Sequence, residues 1–468
     1  MQVIYDAIIA FTGWLWGVPM LVFLVGGGLF LSVRTGFMQF TKLGYVLKNT
    51  IFKGFGKKVQ GDNKFSSFQA LTGALANTLG AGNIIGTAMA IAFGGPGAVF
   101  WLWMTGFFCC MVKYFETCMA MKYRHKDSKG QWIGGPQYYL SESTGWKWIG
   151  TLYSLLCICC LWLAASGQIG SGVDNLEVIG VPRMVSTFVL IALAALVVLG
   201  GMKGLLRMTE KMVPTMAIVY IVGCLAVIIL NIGALPGVIV DIFRYAFTGH
   251  AAFGGFVGST FALCLRWGVA RGAYSNDAGT GVTTITHAVA ECNHPVEQSM
   301  WTIFEVFFDT IIVCSLTCFT ILVTGVWTSE GVLPAVMTAT AFETTFGVFG
   351  KYLVAIVVVL FTFTTACAQT EFVAAQFSKL IGEKAMAIGR ICGLGIMVIG
   401  GVVGLGALID LIDFFCGLYI VVNMTVVYLH NSEVVELTKE YFANTKKWET
   451  EMWPKWKQLE AECEKSKK

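Results

Sequence analysis

Two short segments of this chain follow one pattern, N-x-x-G-x-G: Asn77-Thr78-Leu79-Gly80-Ala81-Gly82-Asn83 and Asn276-Asp277-Ala278-Gly279-Thr280-Gly281. Both lie inside apolar stretches long enough to cross a bilayer. Glycine in a helix interior costs about 1 kcal/mol relative to alanine, so two close glycines favour local unwinding. Unwound backbone within a membrane is tolerated only where it contacts protein or lines a polar cavity. The pattern therefore predicts two broken helices that face a common binding site. The competing interpretation is close helix packing through small residues, but an asparagine at the same place in both segments favours a site.

The composition places the whole chain in a membrane. Of its 468 residues 56% are hydrophobic and 13% are charged, whereas soluble domains carry about 25% charged residues. Apolar stretches of the roughly 20 residues that span a bilayer recur throughout. They predict an all-α polytopic protein with eleven transmembrane helices, near residues 14–33, 67–93, 96–122, 149–172, 185–206, 212–232, 255–289, 299–327, 348–379, 384–404 and 406–430.

The distribution of lysine and arginine predicts the orientation. With eleven spans, 26 basic residues fall in loops and a tail on one side, and only Arg183, Arg244 and Lys351 fall on the other. Cytoplasmic loops are enriched in basic residues, so the N-terminus is expected outside and the C-terminus in the cytoplasm. The C-terminal tail mixes Glu, Lys and Trp. It is expected either to form an amphipathic helix on the bilayer surface or to be solvated.

The two glycine-rich segments also divide the chain. Each opens a block of five spans, and an odd number of spans gives the two blocks opposite orientations. This is the inverted repeat of secondary transporters, in which paired glycine-interrupted helices mark the binding site. We expect an extra N-terminal helix and basic loop (1–66), a first repeat (67–232), an inverted second repeat (233–430) and a cytoplasmic tail (431–468).

Several polar residues stand inside predicted spans. A carboxylate such as Asp277 costs about 2.5–3.5 kcal/mol at the centre of a membrane helix, so it normally lines a cavity or has a partner. Its candidate roles are cation ligand, proton carrier, or structural partner of Asn276 or an arginine. Lys113 and Glu116 are predicted to pair with each other, and Glu305 and Asp309 to form a second polar stripe. The adjacent Thr364 and Thr365 either bond back to their own helix or supply oxygen ligands to a hard cation such as sodium.

The residues also resemble the alanine-or-glycine:cation symporter family, the sodium-coupled amino-acid carriers of bacteria and archaea. The resemblance covers about residues 13–431. The motifs that carry it are Arg34-Thr35-Gly36-Phe37, Phe68-Gln69-Ala70-Leu71, Gly80-Ala81-Gly82-Asn83-Ile84, Gly94-Gly95-Pro96-Gly97-Ala98, Lys122-Tyr123-Arg124, Gly134-Gly135-Pro136, Gly268-Val269, Ser275-Asn276 and His294-Pro295-Val296-Glu297-Gln298.

The resemblance implies a leucine-transporter-type fold, a five-plus-five inverted repeat preceded by one extra helix, in a bacterial or archaeal cell membrane. It implies a sodium site made by the carbonyls of Ala76 and Leu79 with Thr364 and Thr365. Asn83 matches an asparagine that serves a second cation site in that fold. The expected substrate-binding residues are Gly80, Ala81, Gly82, Ser171, Tyr274, Asn276, Thr365 and Gln369, and Asp277 is the candidate for coupling.

This sequence departs from the family at several pocket positions. Asp277 replaces a common glutamate, Tyr274 a phenylalanine, and Gln369 a tryptophan. In the fourth span Gly167-Gln168 stands in place of the usual glycine-asparagine, and Ser171 in place of the following glutamine. An amide in place of an indole removes apolar area and adds a donor and an acceptor. A neutral amino acid larger or more polar than alanine is therefore expected.

These features predict sodium symport of a neutral amino acid by alternating access, with the amino acid, Na⁺ and the lipid bilayer as partners and no nucleic acid. One alternative is a proton-coupled carrier that uses Asp277, and another is a non-transporting sensor of the same fold. A channel is disfavoured because the sequence has no tandem filter motif or charged ring. A membrane enzyme is disfavoured because the sequence has no nucleophile or metal constellation.

Overall fold

The structure is a computed structural model, and it describes residues 2–52, 64–248, 260–329, 331–406 and 408–466. The beginning of the predicted seventh span lies outside these residues, as do Lys53, Lys57 and Lys58. In chain order the helices are α1 (Tyr5–Arg34), α2 (Ser67–Thr78), α3 (Thr87–Gly94), α4 (Ala98–Lys122), α5 (Pro136–Thr144), α6 (Lys147–Val178), α7 (Arg183–Val198), α8 (Gly201–Leu230), α9 (Leu235–Thr248), α10 (Phe261–Asn276), α11 (Thr284–Ala288), α12 (Pro295–Val323), α13 (Pro334–Phe346), α14 (Val348–Ile381), α15 (Met386–Val403), α16 (Ile409–Leu429), α17 (Asn431–Ala443) and α18 (Pro454–Ser466).

Short elements connect some of these helices. The helical turns Met38–Thr41 and Leu43–Leu47 follow α1. An antiparallel pair of strands, β1 (His125–Lys126) and β2 (Trp132–Ile133), lies between α4 and α5, with His125 opposite Ile133 and Lys126 opposite Trp132. Helices α5, α9 and α13 were not predicted from the sequence, because they are too short to stand out as apolar spans.

In the described part of the chain, 8 helices are long and apolar enough to cross a membrane: α1, α4, α6, α8, α12, α14, α15 and α16. The pair α2 and α3 makes a ninth span if it is counted as one bent helix, and α7 is a shorter apolar helix. The predicted boundary between the fifth and sixth spans was wrong. Helix α7 ends at Val198 and α8 begins at Gly201, because Gly201 turns the chain with a φ of +64° that suits glycine.

Helices α6 and α14 pack against each other along their length and form the centre of the bundle. Helix α2 packs against α8 and α14, and α10 packs against α3 and α4. The broken segments after α2 and α10 are therefore enclosed by protein, as unwound backbone in a membrane requires. Residues 79–86 and 278–283 are all buried.

The tail packs against the rest of the protein, so the expectation of a solvated tail was wrong. Trp448 and Trp456 are buried, at 2% and 0% exposure. The indole of Trp456 donates to the carbonyl of Met121 (3.1 Å), and Lys126 pairs with Glu460 (3.1 Å). The tail, the α4–α5 loop and the α14–α15 loop thus meet at one end of the bundle. We call this end, formed by residues 122–135, 199–203, 379–390 and 431–466, the basic end.

Candidate substrate and cation site

The first broken helix unwinds where the sequence predicts. Ser66 and Gln69 form a capping box that begins α2, and the chain leaves the helix at Leu79, whose ψ is 80°. A π-helical turn at Gly82–Gly86 leads into α3, and the two halves are bent by 52°. A Cβ on Gly80 would lie 2.6 Å from the Thr365 hydroxyl, so the absence of a side chain lets α14 approach the break closely.

The freed backbone N–H groups of this break are held by two side chains. The N–H of Gly80 donates to Oδ1 of Asn83 (3.1 Å), and the N–H of Ala81 donates to Oε1 of Gln168 on α6 (3.0 Å). Buried N–H groups require an acceptor. Both amide oxygens are neutral acceptors at a place where backbone donors could also hold an anion.

The freed carbonyls of the same break converge on Thr365. Its Oγ1 lies 2.8 Å from the Ala76 carbonyl, 3.3 Å from the Leu79 carbonyl and 2.9 Å from the Phe361 carbonyl. The hydroxyl of Thr364 donates to the same Phe361 carbonyl (2.9 Å). The structure thus brings Ala76, Leu79 and Thr365 together, whereas Thr364 bonds back to its own helix. It adds Phe361, which no side-chain pattern could reveal because only its backbone takes part.

The second broken helix is shaped by a left-handed residue and two glycines. Helix α10 ends at Asn276, Asp277 has a φ of +57°, and Gly279 and Gly281 have φ values of +88° and +76°. Aspartate tolerates this conformation better than most residues, because its short polar side chain can bond locally. The fold of this segment therefore depends on Asp277 as well as on the glycines.

Three helices hold the carbonyls of the second break. Lys113 Nζ on α4 donates to the Asn276 carbonyl (2.7 Å), Asn423 on α16 to the Gly279 carbonyl (2.8 Å), and the Tyr153 hydroxyl on α6 to the Thr280 carbonyl (2.6 Å). Within the segment, Oδ1 of Asn276 accepts from the N–H of Ala278 (3.1 Å). Three of the freed carbonyls thus have separate donors from the surrounding bundle, and the Asp277 carbonyl accepts from the hydroxyl of Thr280 (2.8 Å) within the segment.

The two breaks meet directly. Nδ2 of Asn77 donates to Oδ2 of Asp277 (2.9 Å), so the partner of Asp277 is an asparagine of the first broken helix. Between the breaks lies a cavity of about 30 Å³. It is lined by Trp16, Asn77, Thr78, Gly80, Gly82, Cys160, Leu161, Ala164, Gln168, Ala273, Tyr274, Asp277, Thr280, Gln369, Ile412, Cys416, Tyr419 and Ile420.

Four of the eight predicted substrate residues border this cavity, and so does the coupling candidate Asp277. Gly80, Gly82, Tyr274, Gln369 and Asp277 line it. Ala81, Asn276 and Thr365 belong to the surrounding hydrogen-bond network and do not line it.

Ser171 is buried elsewhere on α6, and Gln168, one turn earlier, occupies the cavity wall. Two acceptors of the wall, Oδ1 of Asn77 and Oε1 of Gln369, are buried without a hydrogen-bond partner among the described residues. The helix period identifies a polar face but cannot decide which of two residues one turn apart reaches the cavity.

Asn83 and Asp309 form a second polar cluster beside the first break. Each lies in a π-helical turn, at Gly82–Gly86 and Phe307–Cys314, and such turns often mark functional sites. Nδ2 of Asn83 donates to Asp309 (2.6 Å), and the Ser275 hydroxyl donates to the other carboxylate oxygen (2.6 Å). Asp309 is fully buried, and no lysine or arginine pairs with it in the part of the chain that the structure describes.

The other polar residues of the spans separate into different networks. The predicted pair of Lys113 with Glu116 was wrong. Lys113 pairs with Glu305 (2.7 Å), and Glu116 accepts from Asn423 (2.5 Å). Glu305 and Asp309 do not act as one stripe, because the π turn that begins at Phe307 changes the helix period between them. Sequence spacing alone assumes a regular period.

A second, larger cavity of about 540 Å³ lies at the basic end. Helix α14 contributes Glu371, Ala375 and Ser378 to its wall, and the segment around α11 contributes Ile285 and Val289. Helix α14 therefore runs from Thr365 past Gln369 to this cavity. The same helix connects the predicted cation ligands, the small central cavity and the basic end.

The comparison with known proteins bears on this geometry. The sequence profile of the sodium:alanine symporter family matches residues 1–455. The chain belongs to the sodium:alanine symporter family. It is 35% identical to the sodium/alanine symporter AgcS of Methanococcus maripaludis, with 92% of this chain and 95% of AgcS covered. It is 30% identical to the probable sodium/glutamine symporter GlnT of Bacillus subtilis, with 94% and 91% covered. Members of this family are transporters, and this symporter-family chain is an integral membrane transporter rather than an enzyme.

Solved structures of low identity share the fold. The crystal structure of MhsT in complex with L-phenylalanine matches with a TM-score of 0.60 at 12% identity, covering 79% of this chain and 90% of that one. A mutant of the Eremococcus coleocola manganese transporter matches with a TM-score of 0.50 at 10% identity, with 78% of both chains covered. One structure holds an amino acid and the other is of a metal transporter, so the fold alone does not specify the cargo.

Proposed function

We propose that this transporter couples the entry of Na⁺ to the uptake of a neutral amino acid by alternating access. The observation that carries the proposal is the position of the Thr365 hydroxyl beside two freed backbone carbonyls of the first break, those of Ala76 and Leu79. One hydroxyl proton can be donated to one acceptor at a time, so the group has more acceptors than donors. A hard cation such as Na⁺ prefers oxygen ligands of this kind, and a buried site with surplus carbonyls is suited to bind it.

The architecture that goes with this function has eleven spans, with α1 as the extra helix followed by a five-plus-five inverted repeat. Eleven is reached when α2–α3, α7 and α10–α11 are counted with the eight long helices. The division at residues 66, 232 and 430 follows from the same count. In a bacterial or archaeal cell membrane the basic end would face the cytoplasm, and the larger cavity there would receive the released cargo.

The central cavity offers complementary groups for the two ends of an amino acid. The substrate carboxylate would replace the amide oxygen of Gln168 at the N–H of Ala81 and bind the backbone of Gly80–Gly82. The ammonium group would bind near Asp277 and the unpaired oxygen of Asn77. Tyr274 and Gln369 would contact the side chain. A cavity of about 30 Å³ must widen for this, as alternating access requires.

A second cation would bind at Asn83. The observation that favours it is the fully buried carboxylate of Asp309, which the amide of Asn83 and the hydroxyl of Ser275 surround. A carboxylate within a membrane protein usually has a cationic partner or marks an ion pathway.

One sodium ion supplies enough energy for uptake. Its entry through a potential of 100 mV releases about 2.3 kcal/mol, and a tenfold concentration gradient adds about 1.4 kcal/mol. Together these would support roughly 500-fold accumulation of a neutral substrate at one-to-one stoichiometry.

The test is uptake by the purified protein in liposomes from a mixture of amino acids, with an inward sodium gradient, an inward proton gradient, or neither. We expect sodium to drive accumulation of one or a few neutral amino acids. Uptake driven by protons and indifferent to sodium would replace the proposal with proton coupling. Saturable binding of an amino acid with no uptake under any gradient would indicate a sensor of this fold.

The proton-coupled alternative rests on Asp277. Its carboxylate lines the cavity, and the side chain that bonds it, Asn77, is neutral. The substitution Asp277→Asn keeps the shape and removes the titratable group. Under sodium coupling this variant should still accumulate substrate with a raised KM, because the ammonium loses an anionic partner. Complete loss of accumulation together with retained exchange would favour proton coupling.

Gln369 is the proposed determinant of substrate size. Gln369→Trp should shift uptake toward smaller amino acids, because an indole fills part of the pocket and removes the unpaired amide oxygen. Gln369→Leu is the matched control, since it removes polarity with little change in volume. Equal substrate profiles for the tryptophan variant and the native protein would exclude Gln369 as the determinant.

A further inference from the structure

Lys113 is a lysine in the middle of α4 with a fully buried side chain. Its Nζ lies 2.7 Å from Oε1 of Glu305 and 2.7 Å from the carbonyl of Asn276. A charge inside a membrane protein is costly to bury and is kept where it has a partner and a role. One contact of Lys113 is therefore an ion pair, and the other is a freed backbone carbonyl at the end of α10.

The two broken helices differ in what meets their freed carbonyls. At the first break the carbonyls of Ala76 and Leu79 meet the neutral hydroxyl of Thr365. At the second break the Asn276 carbonyl meets the ammonium of Lys113. The C-terminal end of a helix carries partial negative charge and favours a cation. The protein supplies this cation itself at α10, covalently attached and always present.

Glu305 extends the contact to the other half of the second broken helix. Its Oε1 accepts from Lys113, and its Oε2 lies 2.9 Å from Nε2 of His287 on α11. Nδ1 of His287 lies 2.8 Å from Nε2 of Gln298. A single carboxylate of α12 thus joins the end of α10, through Lys113, to α11, through His287. All of these side chains are fully buried.

We propose that Lys113 is a positioning residue for transport: its ammonium replaces a bound cation at the Asn276 carbonyl and, with Glu305 and His287, holds the second break in the shape that presents Asp277 to the substrate. This inference rests on the proposed symport function. In this proposal the ammonium of Lys113 is a fixed cation at the second break. The ions that are exchanged during transport then bind only at the first break and at the neighbouring Asp309.

A simpler role is neutralisation of Glu305, and a double variant separates the two. Lys113→Met alone leaves a buried carboxylate without its cation, and breaking a buried pair in this way can prevent folding. Lys113→Met with Glu305→Gln removes both charges and keeps both shapes. If neutralisation were the only role, the double variant would transport like the native protein. If Lys113 positions the break, the double variant folds but binds substrate poorly.

The experiment measures initial uptake in proteoliposomes as a function of amino-acid and sodium concentration, together with the elution profile and thermal midpoint of each variant. We expect the double variant to be monodisperse with a substrate KM raised at least tenfold and a sodium half-saturation changed less than threefold. Native KM and maximal rate in a folded double variant would overturn the positioning role. Absence of sodium-driven uptake by the native protein in the same vesicles would instead overturn the proposed function.

A second variant tests the replacement of a cation directly. Lys113→Ala leaves room beside Glu305 and the Asn276 carbonyl, whereas Lys113→Met fills the space with an apolar chain. We expect Lys113→Ala, and not Lys113→Met, to regain uptake at high sodium and to carry one more sodium ion per substrate. Equal activity of the two variants at every sodium concentration would overturn the idea that the ammonium stands in for an ion.

Discussion

At the scale of single residues, the proposed sodium coupling depends on oxygen atoms that meet at Thr365. We expect Thr365→Ala to raise the sodium concentration for half-maximal uptake at least tenfold, because the hydroxyl ligand is lost. Thr365→Ser, which keeps the hydroxyl, should retain most of the activity. The measurement is sodium-dependent uptake in proteoliposomes.

The matched control is Thr362→Ala on the same helix. Its hydroxyl is also buried but bonds back to Val358 (2.9 Å) and contacts no residue of the first break. Loss of the hydrogen bond of one threonine hydroxyl costs about 1 kcal/mol of stability. Both alanine variants should therefore fold. A similar effect of both substitutions on sodium dependence would show that Thr365 is not a ligand.

The burial of His294 makes the stability of the basic end depend on pH. It caps the start of α12 at the basic end, and its ring packs against Trp448 with centroids 4.6 Å apart. Burial lowers the pKa of His294 to about 3. The unfolded chain therefore binds a proton near pH 6.5 that the folded protein excludes. Stability is complete above pH 6.5 and falls as the pH decreases from 6.5 toward 3.

We expect the native protein to lose about 2 kcal/mol of stability at the tail between pH 7 and pH 5 through this residue. His294→Asn keeps a side-chain cap for α12 and removes the titration, so its stability should depend less on pH in this window. Hydrogen exchange of residues 445–456 at pH 7 and pH 5 measures the effect. An unchanged pH dependence in the variant would exclude His294 as its source.

At the scale of elements, each break is defined by glycines in close contact with another helix. A Cβ on Gly80 would lie 2.6 Å from Oγ1 of Thr365 and 3.2 Å from Oε1 of Gln168. Gly80→Ala should therefore displace both groups and reduce sodium-driven uptake at least tenfold.

Gly86→Ala in the same broken helix is the control. The nearest atom to its added methyl group would be 3.8 Å away, so uptake should stay within about twofold of native, since an ordinary van der Waals contact costs little. If both alanine variants lose uptake equally, the loss comes from the changed helix propensity of the broken segment and not from the contact of residue 80 with Thr365.

At the scale of the whole molecule, contacts of the tail stabilise the loops of the basic end. The guanidinium of Arg124 lies between the rings of Trp132 (4.0 Å) and Trp456 (3.7 Å) and donates to the carbonyl of Ala290 (2.7 Å). The next residue, Glu291, donates its N–H to the carbonyl of Phe65 (2.8 Å), just before α2. Through Arg124 the tail is thus connected to the place where the chain just before α2 meets the chain just after α11.

We expect Trp456→Ala to lower the thermal midpoint by several degrees, because truncation of a buried tryptophan costs about 3–5 kcal/mol. It should also increase proteolysis of the tail. Trp146→Ala is the control, since Trp146 is 59% exposed and its removal should change the midpoint little. An unchanged midpoint for Trp456→Ala would show that the tail docks only weakly.

The sequence by itself determined the membrane class, both helix breaks and the residues of the first break. These are local properties: an apolar stretch, a glycine pair or a carboxylate in a span has the same physical cost wherever the chain folds. The positions of Ala76, Leu79, Thr364 and Thr365 followed from family resemblance, and the structure brings Ala76, Leu79 and Thr365 together.

Only the tertiary structure decided which polar groups meet. Lys113 pairs with Glu305 rather than Glu116, Asp277 with Asn77, and the tail tryptophans with Arg124 and His294. These partners are far apart in the chain, and their contacts depend on how helices pack and on the π turn that changes the period of α12. Sequence spacing describes a single element, whereas a buried charge selects its partner from all the elements that surround it.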